Sequence, residues 1–269
     1  MKYLVNHQSE LSAWEKQFEG YVSMRNAFES ITAKQYEEMI EHNLYDNYKD
    51  VLSVIPSGDE KEIVANIEDR VASTVVNDRG LIQIGSDVYK IDRDKVVKFS
   101  KYTTGIEGNQ YSSSNVAEGI TVNAIKRGLF KSSSVRGARP NDERNNIIEY
   151  WHNTSKRRLI GTVYDWGPGI TEGVHIGLQT KHQRRLTGIW YAEEIPSINL
   201  IGSGSYQTYQ NGVPVGGPIA FNTGTLSSSN NNYLNYTIQY GGSYGYSFVS
   251  VSSTHSGTCK DNNFRTFTW

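Results

Sequence analysis

Along the first seventy-odd residues, apolar positions recur at helical spacing in three runs. Leu11, Trp14 and Phe18 form an apolar face around Ser12-x-x-Glu15, a pattern that predicts a short capped helix ended or kinked at Gly20. Tyr36, Met39, Ile40 and Leu44 follow Thr32, with Gln35 three residues on, and predict a second helix. Beyond the breaker Pro56-Ser57-Gly58, Asp59-Glu60-Lys61-Glu62 has the form of another capping box. Ile63, Ile67 and Val71 then sit at i, i+4 and i+8, with Val64 and Val75 beside them. Residues 7 to 76 therefore read as a small helical region.

At Leu81 the period changes. Leu81 to Ile84 is a β-branched run stopped by Gly85-Ser86-Asp87, Val88 to Ile91 alternates, and Asp92 to Lys95 makes a polar turn before Val96 to Phe99. This is a β-meander, and so small a sheet needs an apolar cover, which the preceding helices supply. Thr103 to Ser114 has turn composition, residues 129 to 146 are irregular and polar, and Val116 to Ile125 reads as a strand or one helical turn. From Asn146 short β-branched and aromatic runs alternate with Gly, Pro and charged turns: Ile147 to Trp151, Leu159 to Trp166, Gly173 to Lys181, Thr187 to Ala192, Ser197 to Ile201, Tyr206 to Gln210, Tyr233 to Tyr240, Tyr244 to Ser252 and Phe264 to Trp269. Such spacing predicts an antiparallel β-sandwich, with Asn211-Gly212 as a type I′ turn and Asn222 to Asn232 as a long flexible loop. The expected class is α+β: a helical region with a small β-meander at 1–100, a linker at 101–145 and a C-terminal sandwich at 146–269. The halves are expected to separate at the linker unless Val96 to Phe99 pairs with the sandwich.

Composition narrows the function. A net charge of −1 gives no global field and argues against a nucleic-acid partner. The basic clusters Lys156-Arg157-Arg158 and Lys181 to Arg185 are expected on solvated strand faces. Glu, Lys and Asp dominate the first hundred residues; Gly, Ser, Thr, Asn and Tyr dominate from Gly161. Eighteen Tyr against eight Phe suits exposed sheets and points to a surface or secreted protein. One cysteine, Cys259, precludes an intrachain disulfide and a cysteine metal cluster. No run of about 18 apolar residues marks a transmembrane helix. Met1 to Val5 leads straight into Asn6-His7-Gln8-Ser9-Glu10, too polar for a signal peptide. The chain is thus either cytosolic or a mature form whose leader was replaced by a start Met. The β-rich composition favours the second, with an extracellular, cell-surface or periplasmic home.

Glu10 to Lys16, Val76 to Gly85 with Tyr89-Lys90, and Gly177 to Arg185 resemble exported proteins of Bacteroidota in domain-of-unknown-function families, often predicted lipoproteins. The resemblance touches both halves and implies export. No catalytic residue is carried over with it.

The chemistry-bearing residues are sparse. His175 and His182, seven apart, would need a third ligand such as Glu172 or Asp165 to hold a metal, and a strand-surface histidine is the simpler reading. His152, Asp165 and a serine make a triad only on paper, because no Gly-x-Ser-x-Gly elbow is present. Glu193 and Glu194 are adjacent in a strand and point to opposite faces. Cys259 has His255 nearby in sequence, but a lone thiol is the simpler reading. No cofactor and no metal are expected. Trp151, Tyr164, Trp166, Trp190 and Tyr191 are dense enough to suggest an aromatic platform for a sugar. The leading expectation is a non-enzymatic exported surface protein, adhesive or ligand-binding, whose C-terminal domain takes a glycan or a surface protein. The alternatives are a pore-forming protein inserting the alternating segment Thr223 to Thr254, and a hydrolase with an unrecognised site. Nothing in the sequence sets an oligomeric state.

Overall fold

The computed structural model describes residues 2–100, 120–127, 145–150, 154–167, 175–240 and 244–269. The loop expected at 103–114, most of the irregular stretch at 129–146, and Trp151, His152 and Glu172 lie outside the described residues. Among the described residues the chain is mostly strand, arranged in antiparallel sheets with no barrel.

Five short helices occupy the N-terminal part: α1 (Lys2–Asn6), α2 (Leu11–Glu15), α3 (Met24–Glu29), α4 (Ala33–His42) and α5 (Arg70–Val75). The expected Thr32 box is present at α4: Gln35 N–H donates to Thr32 Oγ1, and Thr32 N–H donates back to Gln35 Oε1 at 2.9 Å. Tyr36, Met39 and Ile40 are buried beneath it, whereas Leu44 is exposed beyond Asn43, whose φ of 55° ends the helix. The Ser12 box does not form. Ser12 falls inside α2, where its hydroxyl accepts from Arg25, and Glu15 is taken up by a buried ion pair with Arg25.

The third expected helix is corrected more deeply. Leu52–Ser57 (β1) and Glu60–Ala65 (β2) form a hairpin over Gly58, whose φ is 65°. β-branched Ile63 and Val64 suit the strand, and helix resumes only when Asp69 caps α5 by accepting from Ala72 N–H at 2.7 Å.

Strands at Leu81–Ile84 (β3), Asp87–Ile91 (β4) and Lys95–Ser100 (β5) fall where the alternation places them. Thr121–Ala124 (β6) joins β5 in the same four-stranded sheet, taking the strand option for that stretch. Lys126–Arg127 (β7), Asn145–Tyr150 (β8), Arg157–Gly167 (β9), His175–Leu186 (β10), Ile189–Ala192 (β11) and Tyr233–Gln239 (β14) assemble with β1 and β2 into an eight-stranded sheet. Its path is β1-β2-β11-β10-β9-β7, and the single parallel step is β2 to β11. The N-terminal hairpin is therefore part of the same sheet as the C-terminal strands, across the boundary expected near residue 100.

Ile195–Gln210 (β12), Val213–Asn231 (β13), Gly245–Thr258 (β15) and Phe264–Thr268 (β16) form a third sheet, ordered β13-β12-β15-β16. The turn Asn211-Gly212 has φ of 51° and 76°, as a type I′ hairpin requires. From Asn222 to Asn231 the expected loop is instead the second half of β13, which pairs with β12 from Ile195↔Asn231 to Gln210↔Val213. The segment Thr223 to Thr254, which the pore-forming alternative would insert, does not pair as one hairpin among the described residues. Tyr236 to Gln239 pairs with β10 in one sheet, and Tyr246 to Ser252 pairs with β12 in another. Leu159, Val163, Ile176 and Leu178 of the eight-stranded sheet share one apolar cluster with Ile198, Leu200, Tyr206 and Phe248 of the third sheet. The sheets approach closely at two glycines. A Cβ on Gly161 would lie 2.4 Å from the His255 ring, and one on Gly202 would lie 2.0 Å from Leu178 Cδ1.

Candidate functional site

The basic clusters read as solvated strand faces are so only in part: Lys156 is exposed and Arg157, Arg184 and Arg185 are partly exposed, but the rest is buried. Arg158, Gln183 and Lys181 are all under a tenth exposed, because β2 and the segment leading to α5 bring carboxylates to meet them, and His182 is buried on the other face of β10. Glu62, itself 1% exposed, accepts from Arg158 Nη2 at 2.9 Å and from Gln183 Nε2 at 3.1 Å. Lys181 Nζ lies 3.6 Å from Glu62 and donates to Glu68 at 2.9 Å, and Arg93 also reaches Glu68. Farther along the same face, Asp69 accepts from Tyr164 OH at 2.9 Å and from Thr237 Oγ1 at 2.7 Å. Burial, then the Asp69 charge, hold the Tyr164 phenol well above its usual range. This layer cements the helical region to the sheet.

Of the five residues of the expected aromatic platform, the side chains of Tyr164, Trp190 and Tyr191 are described. Trp190 and Tyr191 are fully buried. The Arg158 guanidinium lies 4.2 Å and that of Arg185 5.4 Å from the Trp190 ring, and the indole N–H donates to Glu60. Tyr191 packs on Tyr36 and donates to Glu37 at 3.0 Å. Tyr164 is half-buried and committed to Asp69. Trp166 lies in β9 opposite His175, with its side chain outside those described. Trp190 and Tyr191 thus offer no ring face to a sugar, since long-range partners from residues 36–60 cover them.

Histidine chemistry is equally enclosed. His175 and His182 sit on opposite faces of β10, and no group of three or more potential metal ligands occurs among the described residues. His175 Nδ1 is 3.8 Å from Asp69 Oδ1, and burial lowers its pKa. Cys259 meets an imidazole, but that of His182, at 3.8 Å, not His255. His182 Nδ1–H donates to the Glu193 carbonyl at 2.9 Å, leaving Nε2 to accept from the thiol. Burial lowers His182 to about 4 and raises Cys259, so thiol and imidazole are both neutral near pH 7 and no thiolate forms. His255 bridges Thr180 and Ser253 at 2.7 and 2.8 Å, and burial lowers it to about 3.

Among the described residues, the outer face of the third sheet is an accessible surface with a regular arrangement. Its register stacks short polar side chains into rows across the strands. One row is Ser229, Ser197, Thr258 and Phe264; the next is Ser227, Asn199, Ser256 and Thr266; a third is Thr225, Ile201, Thr254 and Thr268. Ser203 with Ser252, and Ser205 with Ser250, continue it. Hydroxyls bond along the rows: Ser197 to Thr258 at 3.1 Å, Ser205 to Ser250 at 3.0 Å and Thr254 to Thr268 at 3.2 Å. Phe264 is 54% exposed at the edge and Ile201 42% exposed in the middle. From Ile195 to Cys259 the chain contains no Asp, Glu, Lys or Arg. That gap is visible in the sequence and marks the face, but which residues share it emerges only from the strand register.

Comparison with protein-family models, with curated proteins and with solved structures finds no match.

Proposed function

We propose that the chain is a non-enzymatic, exported surface protein that binds a neutral glycan through the outer face of its third sheet. The carrying observation is the set of uncharged hydroxyl rows beside exposed Phe264. Ser and Thr hydroxyls both donate and accept, which matches sugar hydroxyls, and a phenyl ring stacks on the C–H face of a pyranose. In this reading the two sheets that share the apolar cluster form a sandwich whose outward side is the binding surface. Export agrees with the resemblance to Bacteroidota surface proteins and with the Tyr-rich composition. The enclosed, neutral Cys259 and His182 favour binding over catalysis. A glycan array with the wild-type chain and Phe264→Ala tests it. Binding to neutral oligosaccharides that drops about tenfold or more in the variant supports the proposal. A blank array, with capture of a surface protein instead, would move the same face to a protein partner, and unchanged binding by Phe264→Ala would refute the stacking role.

A second reading has its own support. β12 and β13 are uncharged and exceed the about 9–11 residues a strand needs to span a bilayer, and β13 is mostly exposed. On this reading the β12–β13 hairpin inserts into membranes. Dye release from liposomes, with and without anionic lipid, decides it, and silence across compositions removes it.

A further inference from the structure

We propose that Asn211, at the tip of the β12–β13 hairpin, is a site of spontaneous chemical modification: its side-chain amide is lost through a cyclic imide formed with Gly212, leaving aspartate and isoaspartate. Asn43, Asn211, Asn230 and Asn262 all hold left-handed φ angles at turns. Leu44, Asn231 and Asn263 follow three of them, and Asn211-Gly212 is the one Asn-Gly pair in the sequence. A side chain on the following residue crowds the backbone nitrogen that must reach the asparagine Cγ. Gly212 has none, and nothing lies within 4 Å of where its Cβ would stand. Both residues are exposed. Among the described residues no hydrogen bond holds the Asn211 side chain. The side-chain oxygens of Asn77, Asn222 and Asn231, by contrast, each accept from a backbone N–H at 2.8 Å, those of Leu81, Gly224 and Asn232.

The reaction needs water alone. The Gly212 nitrogen gives up its proton and attacks Asn211 Cγ; a C–N bond forms, and Nδ2 leaves with a proton as ammonia. Water then opens the imide. Cleavage between the Gly212 nitrogen and Cγ leaves aspartate in an ordinary backbone, whereas cleavage between that nitrogen and the main-chain carbonyl leaves isoaspartate, with the backbone rerouted through Cβ and Cγ. Both products place a negative charge in the stretch Ile195 to Cys259, which carries no Asp, Glu, Lys or Arg. Isoaspartate also lengthens the two-residue turn by one backbone atom, so the closing pair Gln210↔Val213 loses the type I′ geometry that holds it. The tip is at the opposite end of β13 from Ser227 and Ser229. Modification there leaves the hydroxyl rows intact, and the two readings stand or fall separately.

Incubation of the full chain at neutral and at mildly alkaline pH tests the site, with peptide mapping, labelling by a protein-isoaspartate methyltransferase, and a synthetic peptide of residues 209–213 as the clock. Asn211 is expected to convert about tenfold or more faster than Asn222 or Asn230. The rate is expected to rise with pH, because the attacking nitrogen must lose its proton, and the isoaspartyl label is expected to map to residue 211. Asn211→Gly, which leaves a Gly-Gly pair suited to the turn, is expected to lose both the label and the acidic form that ion exchange separates from the wild-type chain. Amide exchange at Val213 is expected to quicken in the isoaspartyl fraction and to stay at the wild-type rate in Asn211→Asp, which has the charge without the rerouted backbone. Asn211 still intact when the peptide is half converted, conversion shared equally with Asn222 and Asn230, a label retained in Asn211→Gly, or wild-type exchange at Val213 in the isoaspartyl fraction overturns the proposal.

Discussion

Toward the helices the eight-stranded sheet carries Arg158, Lys181 and Gln183, held by Glu62 and Glu68; toward the third sheet it carries Leu159, Val163, Ile176 and Leu178. The residues alternate along the same two strands, β9 and β10, so one chain segment builds both interfaces. The faces should respond differently to damage. The apolar face loses contacts in proportion to the atoms removed, whereas the ionic face loses partners, and a buried charge without its partner costs more than the pair contributes.

The largest expected effect is therefore at Glu62. Glu62→Ala leaves Arg158 and Lys181 facing an emptied site, and urea unfolding should show a loss of about 3–5 kcal/mol. Replacing Glu62 and Arg158 together by Leu and Met should recover much of it, since the desolvated charges leave as a pair. A double variant as unstable as the single one would mean that the layer stabilises by geometry and not by charge matching.

Acid should attack the histidines next. Burial holds His182 near 4 and His255 near 3, against about 6.5 for an unfolded histidine, so the unfolded chain binds more protons in between. Their contribution is complete above about pH 6.5 and is lost as pH falls toward 4, by on the order of 3 kcal/mol for His182. His182→Asn should flatten that slope in a pH series of chemical melts, and an unchanged slope would assign the acid sensitivity elsewhere.

On the apolar face Leu178→Ala should cost about 3 kcal/mol, its side chain being fully buried against Gly202. Thr32→Ala, which removes the capping box of α4, should cost about 1 kcal/mol and lower the melting temperature by a few degrees at most. Were the cap to cost as much as Leu178, stability would be set by the N-terminal helices and the contrast between the faces would lose its basis.

The cap at Thr32 was legible because all its parts lie within four residues, and the strands at 81–100 because alternation is local. Residues 60–75 were not. Ile63, Ile67 and Val71 fit a helical period, while Ile63 and Val64 also fit a buried strand, and the choice was made by pairing with Leu52 to Ser57 and with Ile189 and Trp190. That one misreading hid the ionic layer, since Glu60, Glu62 and Glu68 were assigned to the wrong surroundings. It also left Trp190 and Tyr191 looking available, although Glu60 and Tyr36 cover them. Ser227-Ser228-Ser229 carried loop composition, yet a strand face can be built of serine when its inward neighbours pack.

The hydroxyl face is tested most directly by a single-lysine scan of its rows: Ser203→Lys, Ser227→Lys, Ser256→Lys and Thr266→Lys, each titrated with the best neutral oligosaccharide from the array. If the rows are the binding surface, at least the variants around Phe264 lose about tenfold or more in affinity while all four keep the wild-type melting temperature. Wild-type affinity in all four variants would contradict it.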